Sequence, residues 1–272
     1  MDFFGRLLEL DFMRVALLEG MLLSVLAGLL GTQVVLRRLA FFAHGVGAAA
    51  FPGLVLADPA GVSPQVAALA TGTLFAGGVR GLDRRLARVG TDGVTALLLV
   101  AALAIGIVLA SDVLGSGAAV DQLLFGTLVG LSSVDLLATA MVCVAAILGQ
   151  QACGRAWLVA GFDGRGAGSP ELGSRSSEQV LLVLIALAVI VSIKAVGALL
   201  VAALLVVPAA TARLFTSSVR SLRRATFAIS SVEAIGGTVL AYALDVPPGP
   251  AIATLASGCF LVAVLVSIGR SA

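Results

Sequence analysis

Charged and aromatic side chains are scarce in this sequence of 272 residues. Charged residues make up 12% and aromatic residues 5%, with one tryptophan and one tyrosine. Because soluble globular domains carry about 25% charged residues, this composition excludes an ordinary soluble domain. A net charge of only +2 gives no indication of a nucleic-acid partner. Hydrophobic residues make up 60%, and the mean hydropathy is +1.12. These values predict an integral protein of the lipid bilayer.

Residues that carry chemistry are equally few. Cys143, Cys153 and Cys259 lie far apart, so they form neither a metal-spaced cluster nor a disulfide framework. The single histidine, His44, excludes the H-E-x-x-H motif, and the single lysine, Lys194, is not part of a phosphate-binding G-x-x-x-x-G-K-[ST] loop. We therefore predict no enzymatic activity and no bound cofactor. Without that loop, any energy that the protein uses must come from another chain or from an ion gradient.

Long apolar runs fill most of the sequence. A membrane-spanning helix needs about 20 predominantly apolar residues. The fifth run is too long for one simple span, so we interpret 121–135 as a short or re-entrant piece leading into 134–149. The predicted fold class is an all-α polytopic membrane protein of about eight or nine transmembrane helices, with 1–272 as a single transmembrane domain. The nine runs lie near 15–36, 40–57, 63–79, 94–110, 119–149, 178–193, 195–213, 222–243 and 250–268.

The residues before the first run have a different pattern. Phe3, Phe4, Leu7, Leu8 and Phe12 recur at helical intervals. This spacing predicts an amphipathic helix in segment 1–14 that lies at the membrane interface. The first apolar run is too long for the core of a signal peptide and lacks a clear cleavage site.

The arginines indicate the orientation of the chain. If the runs alternate across the bilayer, 14 of the 17 basic residues fall on one side. By the positive-inside rule this side is cytoplasmic. Nine spans then place the N-terminus outside and the C-terminus in the cytoplasm. The 14 residues are Arg37, Arg38, Arg80, Arg84, Arg85, Arg88, Arg155, Arg165, Arg175, Arg213, Arg220, Arg223, Arg224 and Arg270.

Three segments resemble one known family in the correct order. "VGALLVAALLVVPAATARL" (196–214) is similar to the signature of permease subunits of zinc- and manganese-uptake ABC transporters, the ABC-3 family. "FMRVALLEGMLLSVLAGLLGTQVVLRRLAF" (12–41) resembles the family's opening helix and its exit. "LDVPPGPAIATLASGCFLVA" (244–263) resembles the final outer turn and last helix.

The resemblance implies a fold like that of the cobalamin and siderophore importer permeases. It implies a homodimer in the cytoplasmic membrane of a prokaryote, working with a cytosolic ABC ATPase and an extracytoplasmic metal-binding protein. The cargo would be zinc or manganese. In the family, the connection at 150–178 carries the segment that couples to the ATPase. Phe162, Asp163, Glu171 and Gly173 are its counterparts here, while a solvated flexible loop is the alternative interpretation.

Two ionisable residues are candidates for the metal pathway. His44 lies within a predicted span, and Glu233 lies near the middle of another, where polar groups are expensive. Aligned on the family's pattern, His44 stands where an aspartate is usual and Ala48 where a histidine is usual. The Asp-x-x-x-His pair of the family is therefore absent. Both residues also have a structural interpretation. The imidazole of His44 would be hydrogen-bonded to a backbone carbonyl, and the carboxyl group of Glu233 to a serine or threonine hydroxyl group.

Lys194 and Pro208 lie in one apolar segment, and their roles have two interpretations each. Lys194 falls at the outer end of its span, where it can anchor the helix by reaching water or line the pathway entrance. Pro208 interrupts the helical hydrogen bonds, which predicts a kink that serves as a gate or as static packing. We expect Glu19 at the interface, and Asp112, Asp121 and Asp245 on the outer face.

Two other functions stay open. The missing Asp-x-x-x-His pair favours an importer of the same architecture that moves a metal chelate, such as haem or a siderophore. A proton-coupled secondary transporter would use His44 and Glu233 as titratable relay groups. It would not need the 150–178 connection, and the inverted repeats expected of it are not evident.

Overall fold

The computed structural model describes residues 9–57, 59–86, 88, 90–113, 124–127, 130–162 and 175–271. Nine long helices account for nearly all of this described part, which contains no strand. The all-α polytopic fold is confirmed. The helices are α1 (Asp11–Leu36, with a π-helical turn at Ala27–Gly31), α2 (Ala40–Ala57), α3 (Pro64–Arg85), α4 (Gly90–Val113), α5 (Ser133–Phe162), α6 (Arg175–Val196), α7 (Val201–Arg213), α8 (Val219–Leu244) and α9 (Pro248–Ser271).

Each predicted apolar run corresponds to one helix. Within the described residues, seven helices are long and apolar enough to cross a membrane. The other two are α7, which has only 13 residues, and α3, whose last turns contain Arg80 and Arg85. The count of eight or nine spans is therefore approximate, because it depends on how these two helices are classified.

Local sequence explains where several helices begin and end. Pro64 and Pro248 stand in the first turns of α3 and α9, where their missing N–H costs nothing. Arg38 ends α1 with a φ of 57°, and Leu39 N donates to Val34 O at 2.8 Å, which closes a Schellman turn. Asp245 ends α8 in the same left-handed conformation, with a φ of 52°.

Helix α5 differs from its prediction. We expected a span ending at 149 and a cytoplasmic connection over 150–178, but the helix continues to Phe162. Trp157 explains the extension, because its ring is fully buried and its Nε1 donates to Ser177 O at 2.7 Å. The end of α5 is thereby fixed against the start of α6. Of the predicted coupling residues, Phe162 ends α5, whereas Asp163, Glu171 and Gly173 lie outside the described residues.

The bundle has three central helices and an apolar perimeter. In α1, α2 and α6, between 61% and 72% of the membrane-length window is buried, against 22% in α4, α5 and α9. The perimeter exposes large apolar side chains such as Val108, Val134 and Leu265, each more than 65% exposed. A surface of this kind suits a hydrocarbon solvent, and it agrees with the membrane class predicted from composition.

One short segment closes one end of the bundle. Residues 124–127 dock on the turn between α6 and α7, where Thr127 N donates to Lys194 O at 3.1 Å and Leu199 N donates to Leu124 O at 3.3 Å. Gly126 and Gly197 have φ values of 80° and 90°, and a Cβ on either would collide with the other segment's backbone. The described part of the predicted re-entrant piece is thus packed by backbone contacts.

Candidate functional site

Most buried hydroxyl groups of the bundle are satisfied within their own helix. Each of five donates to a carbonyl oxygen four residues earlier, at 2.6–3.2 Å, which is a common way to bury a hydroxyl group in a helix. These residues therefore carry no indication of a ligand. They are Ser24, Thr32, Ser192, Thr211 and Thr226.

A buried aspartate organises the end of the bundle where α5 begins. Asp135 is 8% exposed, and its Oδ2 accepts from Lys194 Nζ at 2.6 Å and from Ser132 Oγ at 2.6 Å. Its Oδ1 accepts from Gln65 Nε2 at 2.9 Å. One carboxylate therefore joins α3, α5 and α6. We call Gln65, Ser132, Asp135 and Lys194 the aspartate clamp.

The aspartate clamp defines the surroundings of Lys194. The ammonium group is 41% exposed on the side-chain scale, yet it is bound directly to a buried carboxylate. Lys194 thus forms a specific ion pair within the protein, which a role as an interfacial anchor does not require. The sequence analysis missed Asp135, because a lone aspartate at the boundary of an apolar run also fits a solvated helix start.

A second carboxylate lies one helical turn deeper. Thr139, four residues after Asp135 on α5, donates from Oγ1 to Glu19 Oε1 at 2.6 Å. Glu19 is 1% exposed, and its Oε2 has no hydrogen-bond partner among the described residues. Our expectation of an interfacial Glu19 is wrong, because α1 begins at Asp11 and buries this position against α5.

Glu233 is the most isolated polar group of the described bundle. Its side chain is fully buried, and neither carboxyl oxygen has a hydrogen-bond partner among the described residues. Ser230, one turn earlier on α8, is also buried without a partner for its hydroxyl group. The predicted burial of Glu233 is confirmed, but the bond to a serine or threonine that we considered does not form.

Helices α1 and α8 lie close together beside these two carboxylates. A Cβ on Gly20 would lie 3.4 Å from the Cβ of Ala234, which is an ordinary van der Waals distance, so the two helices approach closely here. A small cavity of about 10 Å³ lies beside this contact, lined by Gly20, Ala234 and Thr238 among others. Its size suits about one water molecule.

His44 lies apart from the carboxylates. It is half-buried on α2 and precedes two glycines: Gly45, which faces Phe75 of α3, and Gly47, which faces Ala198 after α6. Ala48, one helical turn after His44, is buried and contributes only a methyl group. Among the described residues, no three His, Cys, Asp or Glu side chains lie close enough together to hold a metal ion. His44 on α2 and Glu233 on α8 are therefore not members of such a group.

Pro208 lies inside α7, which continues as a helix to Arg213. Pro208, Ala209 and Ala212 are buried. The break in the hydrogen-bond ladder is therefore accommodated by close packing of small residues.

Comparison with known proteins identifies the family. The model of the ABC 3 transport family matches residues 9–267. The chain is 29% identical to the manganese transport system membrane protein MntC of Halalkalibacterium halodurans, over 96% of this chain and 89% of the relative. It is 31% identical to a "probable metal transport system membrane protein" of Thermotoga maritima, over 96% of this chain and 92% of the relative.

The fold has solved counterparts. PsaBC from Streptococcus pneumoniae, solved in complex with Fab, superposes with a TM-score of 0.85 at 24% identity, covering 96% of this chain and 94% of the matched chain. A metal-chelate type ABC transporter in an inward-facing conformation gives a TM-score of 0.69 at 17% identity, covering 93% and 85%. The family resemblance found in the sequence is confirmed: the chain belongs to the ABC 3 transport family.

Proposed function

We propose that this chain is the permease subunit of an ABC importer that moves a divalent metal ion, manganese or zinc, across the cytoplasmic membrane. The family assignment and relatives named for manganese transport support this proposal. The chain performs no covalent chemistry, and ATP is hydrolysed on a separate subunit.

Glu233 carries the proposal. A charged side chain at the centre of a membrane helix costs about 2.5–3.5 kcal/mol, and a carboxylate left without partners gains nothing in return. Neither carboxyl oxygen of Glu233 has a hydrogen-bond partner among the described residues. A passing cation supplies the missing counter-charge, so we assign Glu233 to the pathway. Glu19, with one free oxygen on the neighbouring helix α1, is a second carboxylate available to the ion.

His44 is the only imidazole available to the cargo. Manganese prefers oxygen ligands with some imidazole, whereas zinc prefers nitrogen and sulfur. The two buried carboxylates supply oxygen ligands, which favour manganese over zinc, and His44, on another helix, meets the ion at a different point of the pathway. In a homodimer the second copy doubles this set of ligands, which compensates for the single histidine of each chain.

The partners follow from the two ends of the bundle. The arginine-rich end holds Arg37, whose Nη2 lies 2.8 Å from Glu178 Oε1, close to the end of α5. We assign this end, and the C-terminus, to the cytoplasm. The ATPase then docks on the 150–178 connection through Phe162, Asp163, Glu171 and Gly173. The metal-binding protein docks at the opposite end, where the aspartate clamp, with Lys194, lies beside the pathway entrance. Pro208 is assigned to a gate on α7.

A chelate importer is the second candidate. The observation that favours it is the absence of the Asp-x-x-x-His pair, since Ala48 stands in place of the second ligand. A haem or siderophore brings its metal already coordinated and does not need that pair.

Metal accumulation in cells tests the proposal. Cells expressing the chain with its ATPase and binding protein are compared with cells carrying Glu233→Gln, His44→Ala or, as a matched control, Glu9→Gln on an exposed position. Loss of a charge-assisted ligand predicts a roughly 10- to 100-fold decrease in manganese uptake for Glu233→Gln. The control retains uptake. If wild-type cells assemble the complex but accumulate neither manganese nor zinc, the result would favour a chelate as the cargo.

A further inference from the structure

A large apolar groove lies between the last three helices. Its volume is about 800 Å³, and it opens to the surface of the bundle. Phe215, Val232, Val262 and Val266 line it and are 44%, 63%, 62% and 45% exposed. In a membrane protein such a groove is filled, because hydrocarbon chains surround the perimeter.

Helices α8 and α9 form the two long walls of the groove. At the start of α9, a Cβ on Gly237 would collide with Ile252, so the two helices touch there. Further along, Val232 of α8 and Val262 of α9 both line the groove, and α7 ends at Arg213. From Thr254 to Val266 the groove follows α9 for about 18 Å, which is close to one leaflet of a hydrocarbon core about 30 Å thick.

The groove ends in a polar pocket. A second cavity, of about 390 Å³, shares Phe215 with the groove and is lined by Thr216, Ser217, Ser267 and Arg270. The Arg270 guanidinium lies 5.6 Å from the centre of the Phe215 ring, so a cation–π contact places the positive charge where groove and pocket meet. Helix α8 begins at Val219, directly beyond the pocket.

The charge around this pocket has one sign. The sequence contains no acidic residue over 214–232 or after Asp245. None of the arginines at this end forms an ion pair with a carboxylate among the described residues. These arginines are Arg213, Arg220, Arg223, Arg224 and Arg270.

We propose that the groove binds an anionic phospholipid, with its acyl chains along α8 and α9 and its phosphate at Arg270 and Ser217. The apolar lining matches the hydrocarbon, the length matches one leaflet, and the arginines match the phosphate charge. The inference requires only that the chain lies in a membrane, so it is independent of the cargo. A second copy of the chain is the competing occupant.

Photo-cross-linking tests this site. The full chain is reconstituted in phosphatidylcholine vesicles that contain a small fraction of phosphatidylglycerol with a diazirine on its acyl chain. Cross-linked peptides are then mapped by mass spectrometry. An arginine near an anionic lipid surface favours binding by about fivefold. We therefore expect the phosphatidylglycerol probe to label peptides of α8 and α9 about fivefold more than a matched phosphatidylcholine probe.

Three variants separate the parts of the site. A Cβ on Gly258 meets no atom within 4 Å, so Gly258→Trp places an indole in the groove without a clash and abolishes labelling. Gly77→Trp is the matched control on α3, where a Cβ also meets nothing, and it retains labelling. Arg270→Gln removes the preference for phosphatidylglycerol. If Gly258→Trp fails to fold, Val232→Trp fills the same groove from α8.

Two results would overturn the proposal. Equal labelling by both probes, unchanged in Arg270→Gln, would show a general lipid surface. Efficient disulfide formation between the Cys259 residues of two copies, with no lipid label in α8 or α9, would show that the second copy fills the groove.

Discussion

At the scale of single residues, the contact between Asp135 and Lys194 is the most specific electrostatic feature of the described bundle. The carboxylate is 8% exposed and accepts from three side chains on two other helices and on its own first turn. Removing one partner leaves a charge in a site of low polarity. Because the ammonium is partly exposed, water compensates for some of that loss.

A double-mutant cycle measures this contact. Asp135→Asn and Lys194→Gln are each expected to lower the free energy of unfolding by about 1–3 kcal/mol, and the double variant by less than the sum. Thermal unfolding in detergent is the measurement. Asp11→Asn is the matched control, because the exposed Asp11–Arg14 pair is separated by 3.8 Å and contributes little. Strictly additive effects would show that the two charges do not interact.

The sequence predicts the burial of some single residues but not their partners in other helices. The burial of Glu233 follows from its place near the middle of an apolar run, and it is confirmed. Asp135 and Lys194 are 59 positions apart, and no spacing rule brings them together. Glu19 was placed wrongly because the distance from the start of a run does not reveal which neighbour, here Thr139, covers a side chain.

At the scale of elements, backbone contact between segments determines how the bundle closes. Gly197 has a φ of 90°, and a Cβ there would collide with Leu124. Gly197→Ala therefore carries a conformational cost of about 1–2 kcal/mol and, in addition, a steric clash. We expect a clearly lower melting temperature and weaker protection of residues 124–127 from hydrogen exchange.

Gly61→Ala is the matched control for that prediction. Gly61 has a φ of 62°, but a Cβ on it meets no atom within 4 Å, so only the conformational cost applies. Equal loss of stability in the two variants would contradict the close docking of 124–127 on the turn between α6 and α7.

Hydropathy predicted the elements well and their ends less well. The nine runs were found because a membrane helix must be apolar over most of its length. The last turns of α5 were missed because Gln150, Gln151 and Arg155 give them the composition of a loop. Their helical state depends on burial of Trp157 against the start of α6, which is a tertiary contact.

At the scale of the whole molecule, the two ends of the bundle have different chemistry. One end is joined by Gln65, Asp135 and Lys194, and the other gathers the arginines around Arg37 and Arg270. Buried carboxylates on α1 and α8 lie between them. This arrangement is compatible with the proposal that a cation enters at one end and is released at the other, where we assigned the ATPase.

Uptake of Mn²⁺ into proteoliposomes tests this account most directly. The chain is reconstituted with or without its ATPase, and the metal is supplied on the binding protein. We predict uptake only when the ATPase is present and ATP is on its side of the membrane. Uptake by the chain alone, driven by a pH gradient and independent of ATP, would contradict the account and indicate a proton-coupled secondary transporter.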